Sequence, residues 1–261
     1  MIPTPRDVLL HDEGGVPFAA TSWEGARGSG VLIVHGLLGS RALPEIRRVA
    51  EALAADHDVL AIDVRGHGDS PGRFTWGREE WRQADAAARA LAAPGRRVSA
   101  VGFSFGGFHA LRAAASGAPI GRLVVVGAPC DLRVLDHVPL GARLWRHLPL
   151  VLRRRRRRFA AEIPPLGRGS RLAEDEIARI TAPVLVVHGQ WDWLISERHA
   201  ARLARELPAA SRLDVPRGLH GEYLVASHER ALLDAVTDFL AREGRPGPDA
   251  ASWGATIPRV P

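Results

Sequence analysis

The sequence contains one cysteine, Cys130, and no lysine, so that all 35 of its basic residues are arginine. A single cysteine forms no intrachain disulfide and builds no cysteine-based zinc cage, and it fits an intracellular location. Without lysine, Schiff-base chemistry is excluded. No apolar run reaches the 18 residues that suggest a membrane span, and residues 1–15 lack the basic start and apolar stretch of a secretory signal. A soluble, cytoplasmic protein is expected. Low-complexity blocks are missing too, because the 27 glycines and 19 prolines are scattered over turn positions.

What is present is a globular composition. At 261 residues, 46% hydrophobic and 25% charged, the chain suits one α/β domain with a sizeable core and is unlike collagen, coiled coil or a wholly disordered chain. The net charge of +6 is local. Residues 141–171 hold ten arginines against one acid, Glu162, which leaves the rest of the chain net acidic.

Short, continuously apolar runs at 31–35, 59–63, 98–101, 123–126 and 184–188 read as parallel strands buried on both faces, with weaker strands at 18–23 and 212–215. Stretches of helical spacing at 43–55, 79–92, 106–115, 197–207 and 231–242 alternate with them. The pattern predicts a doubly wound, mostly parallel sheet flanked by helices. Alternation fails once, between Gly127 and Ile180, where about fifty residues stand in place of a crossover. A small helical cap over about 129–180 is expected there. One or two short helices broken at Pro149 would carry Leu144, Trp145, Leu148, Leu150, Val151 and Leu152 on an apolar underside. Residues 1–242 then form a single domain, and 243–261, rich in Gly, Pro, Ser and Asp, a flexible tail.

Gly102-Phe103-Ser104-Phe105-Gly106-Gly107 follows a predicted strand and opens a predicted helix. In that context a serine on a strained turn projects its hydroxyl above the sheet, and the flanking glycines avoid collisions with neighbouring backbone. A serine hydroxyl needs a histidine to accept its proton, and that histidine needs a carboxylate to fix its tautomer. Asp192, in His188-Gly189-Gln190-Trp191-Asp192, and His220, in Gly218-Leu219-His220-Gly221, follow in the required order, each just past a strand. Alone, such an aspartate caps a loop and such a histidine decorates a surface. Order, spacing and loop position together favour catalysis. Two backbone N–H groups must receive the negative charge that develops, and Phe105 and Leu37 are the candidates, Leu37 lying in His35-Gly36-Leu37-Leu38-Gly39. His35 and the ionisable turn Asp63-Val64-Arg65-Gly66-His67-Gly68-Asp69-Ser70 read better as loop-shaping hydrogen-bond partners.

These motifs, in this order, resemble the α/β-hydrolase superfamily over about residues 18–242. The branches most similar are serine esterases, monoacylglycerol-lipase-like enzymes and the serine-aminopeptidase-like group, with a lid inserted after the sixth strand. Serine at position 104 argues against dehalogenases and epoxide hydrolases, which use an acidic nucleophile, and against dienelactone hydrolases, which use cysteine. Some relatives place the triad acid after the sixth strand, where Asp131 stands here; Asp192 matches the commoner placement. The resemblance implies a serine hydrolase that cleaves carboxylic esters through an acyl-enzyme, with no metal or organic cofactor. Phe103, Trp145, Trp191 and Trp193 are expected to wall a pocket for a small apolar acyl ester. The run from Arg153 to Arg158 reads as a solvated lid face with weak contact to anionic surfaces, and lacks the interleaved aromatics of nucleic-acid binding. It also motivates the alternative of a thioesterase or acyltransferase on coenzyme A or carrier thioesters. A catalytically silent binding protein of the same fold is the reading outside enzymes.

Overall fold

The computed structural model describes residues 2–25, 28–132, 158–162 and 170–242. Its strands are β1 (Arg6–His11), β2 (Pro17–Trp23), β3 (Ser29–Val34), β4 (Asp58–Ile62), β5 (His67–Gly68), β6 (Arg97–Phe103), β7 (Arg122–Val126), β8 (Arg158–Phe159), β9 (Val184–Gly189) and β10 (Ala210–Val215). The helices are α1 (Pro44–Leu53), α2 (Glu80–Leu91), α3 (Phe105–Ala115), α4 (Glu174–Ala178), α5 (Glu197–Glu206) and α6 (Tyr223–Ala241). The lid helices expected around Pro149, with Trp145 and most of the arginine run, lie outside the described residues, as does the tail at 243–261.

Eight strands form one sheet in the order β1-β2-β4-β3-β6-β7-β9-β10. The pairs β1/β2 and β2/β4 are antiparallel and every other pair is parallel. The central parallel strands are mostly apolar because helices cover both faces: every residue of β7 and β9 is buried. On one face α1 and α6 set Ile46, Leu53, Val236 and Phe239 against Val101, Phe103 and Val126. On the other, α2 and α3 set Ala84, Leu91, Phe108 and Leu111 against Val34, Ala100 and Val125. No helix of the described residues is long and apolar enough to cross a membrane.

The chain leaves β3 toward β4 on one side and reaches β6 on the other, so β3 and β6 become neighbours at the point where strand order reverses. In such sheets the crevice for a ligand opens beyond the carboxyl ends at that point. Val34 of β3 pairs with Gly102 of β6, which sets the loops after these two strands side by side.

Three elements differ from expectation. Strand β1 is an exposed edge in which only Val8 and Leu10 pack, partly, on the core, so its apolar signal is weak. Helix α6 begins at Tyr223 rather than 231, since two helical pieces join across a kink at His228, whose φ of −140° and ψ of 38° leave the helix. The two-residue strand β8 pairs with β5, tying the excursion after β7 to the turn after β4.

His109 on α3 is fully buried with edge-on ring contacts to Phe74 and Phe108, and both its ring nitrogens are without a hydrogen-bond partner among the described residues. Burial, with His35 and Arg112 nearby, pushes its pKa down to about 3. The folded value therefore lies below the unfolded one. Well above pH 6.5 His109 is neutral in both states and costs nothing on this account. As pH falls from there toward 3, the unfolded chain gains a proton that the folded chain refuses, and stability drops by about 1.4 kcal/mol per pH unit. The variant His109→Leu should lose this dependence. Urea unfolding at pH 6 and pH 5 should show its margin over the wild type growing by about 1 kcal/mol, and a constant margin would show that His109 takes its proton inside the fold.

Candidate active site

Ser104 stands between β6 and α3 with φ 50° and ψ −122°, a conformation that a non-glycine residue adopts only under constraint. The constraint is close packing. A Cβ on Gly106 would come within 2.2 Å of the Val34 carbonyl oxygen, and one on Gly102 within 2.5 Å of Gly107 Cα. The elbow can turn this tightly only because both positions lack a side chain.

His220, just past β10, brings its Nε2 to 2.8 Å from Ser104 Oγ and its Nδ1 to 2.7 Å from Asp192 Oδ2. An ionised carboxylate only accepts, so Nδ1–H donates to Asp192 and Nε2 is left to accept the serine hydroxyl proton. Asp192 Oδ1 also accepts the N–H groups of Leu194 and Ile195, each at 2.9 Å. Burial works to raise the Asp192 carboxyl, but His220 and these two N–H groups outweigh it and hold the carboxyl below its ordinary value. The aspartate that meets His220 is thus Asp192; Asp131 instead forms a backbone bridge with Arg171.

The two expected N–H donors sit in the loops that flank the serine. Phe105 is the first residue of α3, and Leu37 lies in the loop after β3; neither N–H donates to another described residue. The loop around Leu37 is held from beneath by histidines. His35 donates its Nδ1–H to Gly36 O at 2.7 Å and accepts Val64 N–H at Nε2, 3.2 Å away. His67 Nε2 accepts the Leu38 N–H at 3.3 Å, and burial together with His35 keeps His67 well below the ordinary histidine range. Asp63, fully buried, accepts the backbone N–H of Arg41 and of Asp69 and pairs with the Arg41 guanidinium. Ser70 Oγ donates to the Asp63 carbonyl and accepts Ala19 N–H. These groups shape the loop; among the described residues none of them is hydrogen-bonded to the Ser104 hydroxyl, which pairs with His220.

One residue that sequence reasoning passed over belongs to the site. Glu222, buried two residues after His220, accepts the Gly36 N–H at Oε1, 2.5 Å away. It ties the loop carrying Leu37 to the loop carrying His220. The fit is close: a Cβ on Gly36 would lie 2.8 Å from Glu222 Oε1 and 3.0 Å from Ser104 Cβ.

Of the expected pocket residues, Trp193 meets the His220 ring edge-on and the Tyr223 ring at a tilt, at centroid distances of 5.9 and 5.2 Å. Trp191 is 60% exposed. Phe103 is a correction. It follows Val101 to the other face of the sheet by strand alternation and is buried in the layer beneath α1 and α6, so it walls no pocket above Ser104. Trp145 lies outside the described residues.

With this geometry in view, the comparisons define the class. A model of the alpha/beta hydrolase family matches residues 31–258, and the chain belongs to that family. None of the curated proteins matches the chain. Among solved structures it is similar to an esterase from Pyrococcus furiosus, with 22% identity, a TM-score of 0.72 and 94% of each chain covered. It is also similar to a hydrolase from Pseudomonas aeruginosa, at 23% identity and TM-score 0.69, and to an esterase from Rhodococcus sp., at 16% and 0.69. Each of those two likenesses covers 91% of this chain and 99% of the other. At such identities the likeness is one of fold. Family membership places the chain among the alpha/beta hydrolases.

Replacing Glu222 by alanine removes a buried acceptor and leaves the Gly36 N–H unpaired, a loss of about 1.5–3 kcal/mol for a charged hydrogen bond. Glu222→Gln keeps an acceptor oxygen and should recover most of it. Urea unfolding of the two variants checks this, and a Glu222→Ala variant as stable as the wild type would remove Glu222 as the anchor of the loop.

Proposed function

We propose that the protein is a serine hydrolase that cleaves carboxylic esters through an acyl-enzyme. The observation that carries this reading is the unbroken hydrogen-bonded line from Asp192 through His220 to the strained hydroxyl of Ser104. Ser104 Oγ attacks the ester carbonyl while His220 Nε2 takes its proton, and the imidazolium so formed is stabilised by Asp192. The carbonyl oxygen becomes an oxyanion and is received by the N–H groups of Leu37 and Phe105. His220 then gives its proton to the departing alcohol. Water, deprotonated by the same nitrogen, attacks the acyl-serine; the bond to Ser104 Oγ breaks, the acid leaves, and His220 returns the proton to Oγ.

Trp193 beside His220 offers an apolar surface to one part of the substrate, which favours apolar esters of modest size. The single cysteine, buried and free, supports a reducing compartment such as the cytoplasm. A single hydrolase domain spanning residues 1–242 is part of the same reading.

The test is the hydrolysis of p-nitrophenyl esters of graded acyl length by the wild type and by Ser104→Ala, with an acyl-coenzyme A panel alongside. Wild-type turnover should fall by about 10⁴-fold or more in the variant, and the serine should label with a fluorophosphonate only in the wild type. Equal turnover by both proteins would overturn the mechanism, and cleavage confined to the thioesters would move the substrate class.

A further inference from the structure

Four residues other than glycine hold a positive φ among the described residues: Leu38, Trp76, Ser104 and Arg217, at 62°, 56°, 50° and 55°. They stand between β3 and α1, between β4 and α2, at the elbow, and past β10, all in stretches that follow strands of the main sheet. Strain of this kind persists only where the surroundings enforce it, and it gathers at functional sites. Arg217 is exposed on its turn, whereas Leu38 adjoins Leu37 and Trp76 packs beside Phe105, the two N–H donors expected for the oxyanion.

Leu38 is the third residue of a turn closed by Gly39 N–H donating to Gly36 O at 3.0 Å, where a positive φ is ordinarily met by glycine. Glycine stands at 36 and 39, yet leucine holds the position that strains it. Leu37 packs on the layer of α2 and α3, but Leu38 packs into neither layer of the described core and is half-buried. Core packing therefore does not account for its side chain.

Trp76 is clamped in place. The buried Glu80 carboxylate accepts the N–H groups of Thr75 and Gly77, on either side of it, at 2.5 and 2.8 Å, and the indole N–H donates to Glu162 O at 2.9 Å. The indole meets Phe74 and Phe105 edge-on at centroid distances of 5.4 and 6.5 Å. His67, which accepts the Leu38 N–H, continues this buried layer of rings at 5.1 Å from Phe74.

The flank on which these residues lie decides what they meet. Ser104 follows β6; Asp192 and His220 follow β9 and β10 on one side of it, and Leu38 and Trp76 follow β3 and β4 on the other. A departing alcohol must come within reach of His220 Nε2 to take its proton, so it occupies the flank of His220 and Trp193. The acyl group is left the opposite flank. We propose that Leu38 and Trp76 are specificity-determining residues that form an apolar wall for an acyl group larger than acetyl. This inference rests on the ester-cleaving reading of Ser104.

p-Nitrophenyl hexanoate and p-nitrophenyl acetate share a leaving group and differ only in acyl chain, so the ratio of their kcat/KM values reports acyl recognition. The wild type should favour the hexanoate. Leu38→Gly, which relieves the strain, and Trp76→Leu should each lower the ratio by about tenfold while acetate cleavage persists. A wild type that favours the acetate, or a ratio unchanged in both variants, overturns the wall and leaves the ester reading standing. Equal losses on both esters overturn it too, by making the two residues supports of the Leu37 and Phe105 N–H groups. If the wild type cleaves neither ester, the ester reading falls and this inference falls with it.

Discussion

Everything at the candidate active site depends on how closely β3 and α3 approach. Gly106 sits against the carbonyl of Val34 with no room for a single additional carbon. That approach forces Ser104 into its left-handed conformation and sets the start of α3 beside the loop after β3. The serine hydroxyl and the N–H groups of Leu37 and Phe105 are therefore delivered by one packing contact. A larger residue at 106 would displace all three together.

Around that contact the protein uses two kinds of anchor. Beneath the loop after β3, His35 and His67 act as hydrogen-bond donors and acceptors, and Asp63 with Arg41 supplies an internal ion pair. Above it, Glu222 reaches across from the loop that carries His220. The depressed pKa of His67 suits the lower position, because a cation there would bias the loop electrostatically whether or not an oxyanion were present. In the proposed mechanism these anchors hold the Leu37 and Phe105 N–H groups in place before substrate arrives, which is where most catalytic stabilisation of developing charge originates.

The parts legible in the sequence were those whose cause is local. Runs such as Leu123–Val126 announce a buried parallel strand because two covered faces demand continuous apolarity. The elbow around Ser104 is legible because its glycines and serine stand together in six positions, although the carbonyl that excludes a side chain at Gly106 belongs to Val34 on β3. Strand β1 was not legible, since an edge strand half in water needs few apolar residues. The early start of α6 was hidden by the kink at His228, which breaks helical periodicity. Phe103 was misassigned although strand alternation from Val101 already sends it to the lower layer. Glu222 left no signal at all, because its partner is a backbone N–H 186 residues away.

Those long separations also set the order in which the molecule can become whole. Ser104 and His220 stand 116 residues apart, and Gly36 and Glu222 further still, so the loops between them close at an entropic cost that early folding cannot offset. The elbow, by contrast, is built from β3, β6 and α3, all within the first half of the chain. A chain that has formed its elbow but not yet seated β10 holds the serine without its histidine. On the proposed mechanism, the return of serine reactivity during refolding acts as a clock for the arrival of the last parallel strand.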